Sequence, residues 1–372
     1  MLDVSRKQVM AYRIAEHGLH RRAGDPLALA VFDLGLQDSM RDTALLGLAA
    51  RSAEPVVPTT LAEDPRLALV WSHRGAPHFH RRVDLPELVA SLVPLDEADA
   101  LARILWQQKE LSPTGLSAVD VLFTTARALR KVVTKTMSKG AASTAVTKLL
   151  PDSFSYACRG CQTTHIYEQL MRVAALHGGV RLEADRSPAT LAPLEDRGRV
   201  STRADPAAAA RVLERYLRLN GPATPGDAAG FAGTAKAVAT RSWPADLVEV
   251  RVDGRRAFLP AGRVDALENP PSPSLVRLLP PLDPFTQARD KAVLVPDKAH
   301  AKEVWKILGS PGALLVAGEL MGTWRAKAAG KRLALTISPF IPLQRADRAA
   351  AEDEATLVAA ARGYETHTVS WA

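Results

Sequence analysis

PAAAARVLERYLRLNGPATPGDAAGFAGTAKAVATRSWPADLVEVRVDGRRAFLP, residues 206–260, is the stretch from which the fold is read. After Pro206 the apolar Val212, Leu213, Tyr216 and Leu217 fall at helical spacing, and Asn220-Gly221-Pro222 ends that helix. Thr224 is placed to cap a second short helix through Pro225, Asp227, Ala228 and Phe231. Beyond Gly233 a third helical stretch, residues 234–241, carries Lys236 and Arg241. Residues 247–251 then read as a strand, Asp253-Gly254 is a favoured two-residue hairpin turn, and residues 255–259 return with Arg255 and Arg256 at their head. Three helices followed by a basic hairpin are the winged form of helix-turn-helix.

The rest of the chain is organised around that module. The first hundred residues permit the same plan, with helix starts near Ser5 and Asp25 and a basic, strand-like tail at residues 72–82. Proline-rich segments at 269–274 and 279–284 mark a boundary. Beyond them residues 313–317, 320–324 and 333–337 are apolar runs separated by Gly318-Glu319 and Ala329-Gly330, the pattern of an antiparallel meander that could close into a small barrel.

The 372 residues suggest two to three modules, and 47% hydrophobic with 24% charged residues is the balance of a soluble globular protein. No window approaches the ~18 uninterrupted apolar residues of a membrane span. The opening residues lack the charged start and apolar block of a secretory signal, so a cytoplasmic, nucleoid-associated location is expected. Lys and Arg number 48 against 40 acidic residues, a net charge of +8, which suits an anionic partner. Between Phe123 and Lys148 lie six basic residues and no acidic one, with Arg127, Lys131, Lys135 and Lys139 four apart. On one helix they would form a single cationic stripe, either a solvated face or a phosphate contact.

The two cysteines, Cys158 and Cys161, exclude a disulfide framework. With His165 they offer three metal ligands where a structural zinc takes four, and the residues after Cys161 read as a helix through Ile166, Leu170, Val173 and Leu176. A structural role is read here, with a metal or redox role left open. His78 and His80 share one side of an extended segment, but beside three arginines and Asp84 they read as phosphate contacts or turn packing. No metal site and no cofactor are assigned.

One short run acquires meaning from its surroundings. In LGLQDS, residues 34–39, an apolar segment ends in Gln37, Asp38 and Ser39; if extended, it turns Gln37 and Ser39 to one face and Asp38 to the other. Alone, the triplet reads as a turn or a helix cap. It is followed by Arg51, then HRGAPHF (73–79), RYLRLNGPAT (215–224), LLPPLDPF (278–285) with Arg289, and GELMGTWR (318–325). These motifs, in this order and over nearly the whole chain, resemble the AlkZ-like family of bacterial winged-helix DNA glycosylases.

The resemblance implies an α+β fold of three tandem winged-helix modules, residues 1–105, 106–200 and 201–268, with a C-terminal antiparallel β-barrel over residues 269–372. It implies double-stranded DNA as the partner and a monofunctional glycosylase that repairs alkylation damage by hydrolysing the N-glycosidic bond of N7-alkylated or bulky alkyl purines, crosslink unhooking included. No obligatory protein partner is evident, and a monomer is expected. The family's catalytic element is a glutamine, one residue, then a second glutamine or an aspartate. Gln37 takes the first position, and Ser39 stands at the second, a departure. Asp38 could assist if a register shift turned it inward. A noncatalytic DNA-binding protein is the alternative that this departure raises. Arg51, Arg74, His78 and Arg325 match family motif positions; with Arg127, Lys131, Lys135, Lys139, Arg255 and Arg256 they are the candidate DNA contacts. Arg51, Arg74 and His78 read equally as bracing, and Trp324 reads as barrel core.

Overall fold

A computed structural model describes residues 2–40, 42–104 and 115–372. Two compact units emerge, each built from discontinuous segments: residues 1–64, 214–227 and 245–372 in the first, residues 65–213 and 228–244 in the second. The boundary expected at 105/106 lies outside the described residues.

The elements read from residues 206–260 are all present. A helix spans Pro206–Asn220, a second Pro225–Ala232 and a third Lys236–Arg241, followed by strands Leu247–Val252 and Arg255–Pro260. Thr224 caps the second helix as expected, its Oγ1 accepting from Asp227 N at 3.3 Å, and Asp227 reciprocates, its Oδ2 accepting from Thr224 N at 3.0 Å. Asp253 and Gly254 both have positive φ, 45° and 79°, as the tight hairpin turn between these strands requires.

Within the first unit, this hairpin gains a third strand. Leu2–Val4 runs parallel to Leu247–Val252, pairing Val4 with Val252. Ser5 then caps the helix Arg6–Glu16 reciprocally with Gln8, and Val9 and Tyr12 of that helix join Val250, Val252, Ala257 and Leu259 in one core. Asp25 caps only a single turn, Pro26–Ala28, and not a full helix.

The C-terminal strands form one five-stranded sheet in the order Val276–Leu279, Gly312–Val316, Glu319–Ala329, Arg332–Pro339, Thr366–Trp371. Its first three pairings are antiparallel, but the last is parallel, and among the described residues the two end strands do not pair with each other. The expected closed, antiparallel barrel is therefore an open mixed sheet here. The reason lies in the connection: a parallel neighbour needs a long crossover, and the 17-residue helix Arg345–Ala361 supplies it. That helix packs on Val276–Leu279 and on the short helix Thr43–Ala49.

In the second unit, Pro77–Arg81, Leu67–Trp71, Val180–Leu182, Thr190–Pro193 and Met137–Ser138 pair antiparallel in that order. Ala68, Val70, Leu85, Leu88 and Leu176 form a core cluster on this unit's helices and sheet. Two sequence expectations fail in this unit. The helix Ala118–Val132 ends before Lys135, and Lys139 opens a separate helix, Lys139–Thr147, capped by Ser138. The β-branched run Val132-Val133-Thr134 and the capping serine break the path, so the four-spaced cations do not share one helix face. Likewise, the residues after Cys161 form a strand, Thr163–Ile166, paired with Ser155–Cys158, and the helix begins only at Glu168. Their threonines and isoleucine favour the pleated form. Among the described residues no helix is long and apolar enough to cross a membrane.

Candidate functional site

The triplet is presented by the first unit. A single-turn helix, Ala30–Asp33, leads to Gly35, whose φ of 82° lets the chain turn sharply into the strand Leu36–Gln37. Leu36 is fully buried and anchors the turn, whereas Gln37 is half-buried and Ser39 exposed. The two polar side chains meet: Gln37 Nε2 donates to Ser39 Oγ at 2.8 Å. Ser39 keeps its own hydroxyl proton for a third group. Asp38 takes the other direction. Its Oδ1 accepts from Ala44 N at 3.1 Å and from Thr43 Oγ1 at 3.4 Å, at the start of the helix Thr43–Ala49, where free N–H groups favour a carboxylate. The alternation expected of an extended run thus describes the triplet, with Asp38 serving as the helix's cap. Asp42, at φ 65°, ties the following turn to Arg362 at 2.9 Å.

Next to the triplet, Met40 and Thr43 line a cavity of about 250 Å³ together with Pro281, Trp324, Arg325 and Arg362. A single water needs only ~10–15 Å³. Trp324 forms a fixed wall: it is buried, and its Nε1 donates to Leu279 O at 2.8 Å. Gly312 across the sheet has no room for a side chain, since a Cβ there would come within 2.2 Å of Trp324 Nε1. Arg325 is exposed and donates to Gly309 O at 2.6 Å, which leaves further N–H groups on its fork. Met40, Thr43 and Arg362 carry no sequence signal for this position. Arg362 in particular reads as an ordinary basic residue ending a helix.

A family model for AlkZ-like DNA glycosylases matches residues 33–361. The chain belongs to the AlkZ-like DNA glycosylase family. Among solved structures, Streptomyces sahachiroi DNA glycosylase AlkZ is similar over 100% of both chains, with 20% sequence identity and a TM-score of 0.77. At that identity the likeness shows a shared fold. No curated protein sequence matches this one.

In this AlkZ-like chain several motif residues turn inward. Arg51 has no exposed side-chain surface; it grips Asp283 through both nitrogens, at 2.7 and 2.8 Å, and donates to His17 O and Gly47 O. Four of its five N–H groups are engaged inside the first unit, which is the position of a brace. Asp283 in turn accepts from Phe285 N at 2.9 Å. In the second unit Arg74 adopts φ 59° at the turn before Pro77–Arg81, lies over the Phe231 ring at 4.9 Å and donates to Phe231 O. His78 is buried, and Ser72 Oγ lies 3.0 Å from both His78 Nδ1 and His80 Nε2. Burial, reinforced by the neighbouring His80 and Arg74, holds His78 well below the ordinary imidazole range, so it is neutral at pH 7. A neutral, buried ring offers a phosphate little.

Other candidate cations stay outside. Arg127, Lys131 and Lys135 are exposed, while Lys139 pairs with Glu168 at 2.8 Å. On the hairpin Arg255 is exposed, and Arg256 pairs with Glu249 at 2.5 Å while covering the Phe258 ring.

Proposed function

We propose that this protein is a monofunctional DNA glycosylase that hydrolyses the N-glycosidic bond of N7-alkylated or bulky alkyl purines, crosslinked ones included, using a water held by Gln37 and Ser39. The observation that carries this reading is the Gln37–Ser39 hydrogen bond on one exposed edge of a family-matched segment. An N7-alkylated purine is already cationic and needs no proton to leave. The sugar gains positive charge as the bond breaks, so the protein's work is to orient water on the far face and offer oxygen dipoles to that charge. A glutamine whose amide orientation is fixed by a serine hydroxyl suits the first task. The neutral pair lacks the basicity of a carboxylate, and the capping role of Asp38 keeps its charge at the helix start.

In this reading the cavity lined by Met40, Trp324 and Arg325 receives the alkyl adduct, the winged-helix modules 1–105, 106–200 and 201–268 supply the DNA-binding frame, and the protein acts as a monomer on duplex DNA. The test is a single-turnover assay on duplexes carrying N7-methylguanine or a larger N7 adduct, read as abasic sites. Gln37→Ala is expected to slow release by on the order of a hundredfold, the effect of losing one preorganised group worth about 3 kcal/mol. Ser39→Ala should cost less, and Asp38→Asn, which keeps the capping oxygen, should change the rate little. DNA binding with no release above the spontaneous rate from either duplex would leave the noncatalytic alternative in its place.

A further inference from the structure

The hairpin formed by Ser155–Cys158 and Thr163–Ile166 brings together three groups that the proposed reaction does not use. Its register pairs Tyr156 with His165 and Cys158 with Thr163, so Cys158 and His165 stand diagonally on one face of the ribbon. The turn between the strands then folds Cys161 back over the same face; Gln162 adopts φ 53°, Gln162 Nε2 donates to Arg159 O at 2.7 Å and Thr163 Oγ1 to Cys161 O at 2.9 Å. The two sulfurs and an imidazole nitrogen consequently lie within 4.8 Å of one another, with Cys161 Sγ 2.6 Å from His165 Nε2. Both cysteines are free thiols.

We propose that Cys158, Cys161 and His165 bind one Zn²⁺ ion, with water at the fourth position. The chemistry of the donor set decides the metal: two thiolates and an imidazole select zinc over the oxygen-seeking magnesium and calcium. With bonds of about 2.3 Å to sulfur and 2.0 Å to nitrogen, tetrahedral ligands stand roughly 3.5–3.8 Å apart. The three atoms all lie within 4.8 Å of one another, and binding needs the 2.6 Å Cys161–His165 contact to open by about 1 Å, a movement within reach of an exposed turn.

The ion has a structural use. These two strands form a sheet of their own, and an isolated two-stranded ribbon is marginal in water. The Tyr156–Tyr167 stack, at 5.4 Å, steadies the end away from the turn, while the turn is tied by the local hydrogen bonds of Gln162 and Thr163. A metal joining the turn to both strands would pin that end. Since Cys161 is exposed and His165 half-buried, the site can load and unload without unfolding the unit.

The full-length protein, stripped with a chelator and kept reduced, should take up about one Zn²⁺ per chain, and Co²⁺ in its place should give the absorption of a tetrahedral, thiolate-bound ion. Cys161→Ser and His165→Asn should each lose that absorption and most of the retained metal while keeping the parent's far-UV circular dichroism. Hydrogen exchange at residues 155–166 should slow on Zn²⁺ addition in the parent and not in the variants. Substoichiometric metal after dialysis, equal retention by the variants, or a Cys158–Cys161 disulfide in freshly isolated, metal-free protein would each overturn the proposal. None of these readouts depends on base excision.

Discussion

Arg51 and Asp283 are 232 positions apart and share a two-nitrogen, two-oxygen contact with no exposed side-chain surface on either partner. Both stand in motifs that accompany a DNA-binding family, yet their surroundings are those of a keystone. Two further N–H bonds, to His17 O and Gly47 O, fix the guanidinium between the helix Arg6–Glu16 and the helix Thr43–Ala49 that Asp38 caps. Removing one partner of a buried pair leaves the other charge unmatched, a loss of about 3–5 kcal/mol. Arg51→Met is therefore expected to lower the denaturation midpoint sharply in urea, while the folded fraction retains its affinity for duplex DNA. Asp283→Asn, which keeps an acceptor for Phe285 N, should cost less, and the double variant should fall short of the sum of the two losses. A stable Arg51→Met protein with weakened DNA binding would instead make Arg51 a phosphate contact. The sequence signalled these positions but not their burial, because an isolated arginine carries no mark of the partner that awaits it across the chain.

Elements whose causes are local were legible. The stop at Asn220-Gly221-Pro222, the Thr224 cap and the Asp253-Gly254 turn each depend on a few neighbouring residues, and each element formed within a residue or two of its reading. Non-local causes were not. Leu2–Val4 finds its parallel partner at Val250–Val252, and Thr366–Trp371 finds its own only because a helix carries the chain back. The cation spacing from Arg127 to Lys139 misled because periodicity counts residues and ignores the cap that Ser138 inserts. Burial of histidines belongs with these hidden features and has a measurable result. His73 and His78 flank the turn before Pro77–Arg81, and His177 follows the helix Glu168–Ala175; burial pushes all three down, His177 to about 4. An unfolded histidine titrates near 6.5, so below that pH the unfolded chain binds protons that the folded one refuses, and stability falls as pH drops from 6.5 towards 4. Each such group contributes a slope of up to about 1.4 kcal/mol per pH unit. Urea midpoints between pH 7 and pH 5 should decline accordingly, and His177→Gln should flatten the decline by about one proton. A parallel decline in parent and variant would remove His177 from the account.

Across the whole molecule the count of 48 Lys and Arg overstates what is available to DNA. Arg13 and Arg51 are buried, Arg6 pairs with Glu319 and Arg21 with Glu354, and Arg277 is drawn down to about 10 by burial against the pull of that same glutamate. These guanidiniums brace the first unit from within and release no counterions. The contrast is with Arg127, Lys131 and Lys135 on the second unit and Arg255, Arg256 and Arg325 on the first, all exposed. A cation that meets a phosphate adds about 0.9 to the slope of log affinity against log salt. Changing Arg127, Lys131 and Lys135 together to glutamate should weaken duplex binding severalfold or more at moderate salt and reduce that slope by up to about 2.7, the share of three phosphate contacts. Stability should hardly move, since exposed substitutions away from packed features stay within about 0.5 kcal/mol. Lys139→Ala, whose ammonium is already engaged by Glu168, should leave the slope near the parent's. Binding measured across a salt series separates the outcomes: an unchanged slope in the triple variant discards this surface, and the same substitutions at Arg255, Arg256 and Arg325 then ask whether the first unit carries the phosphate contacts alone.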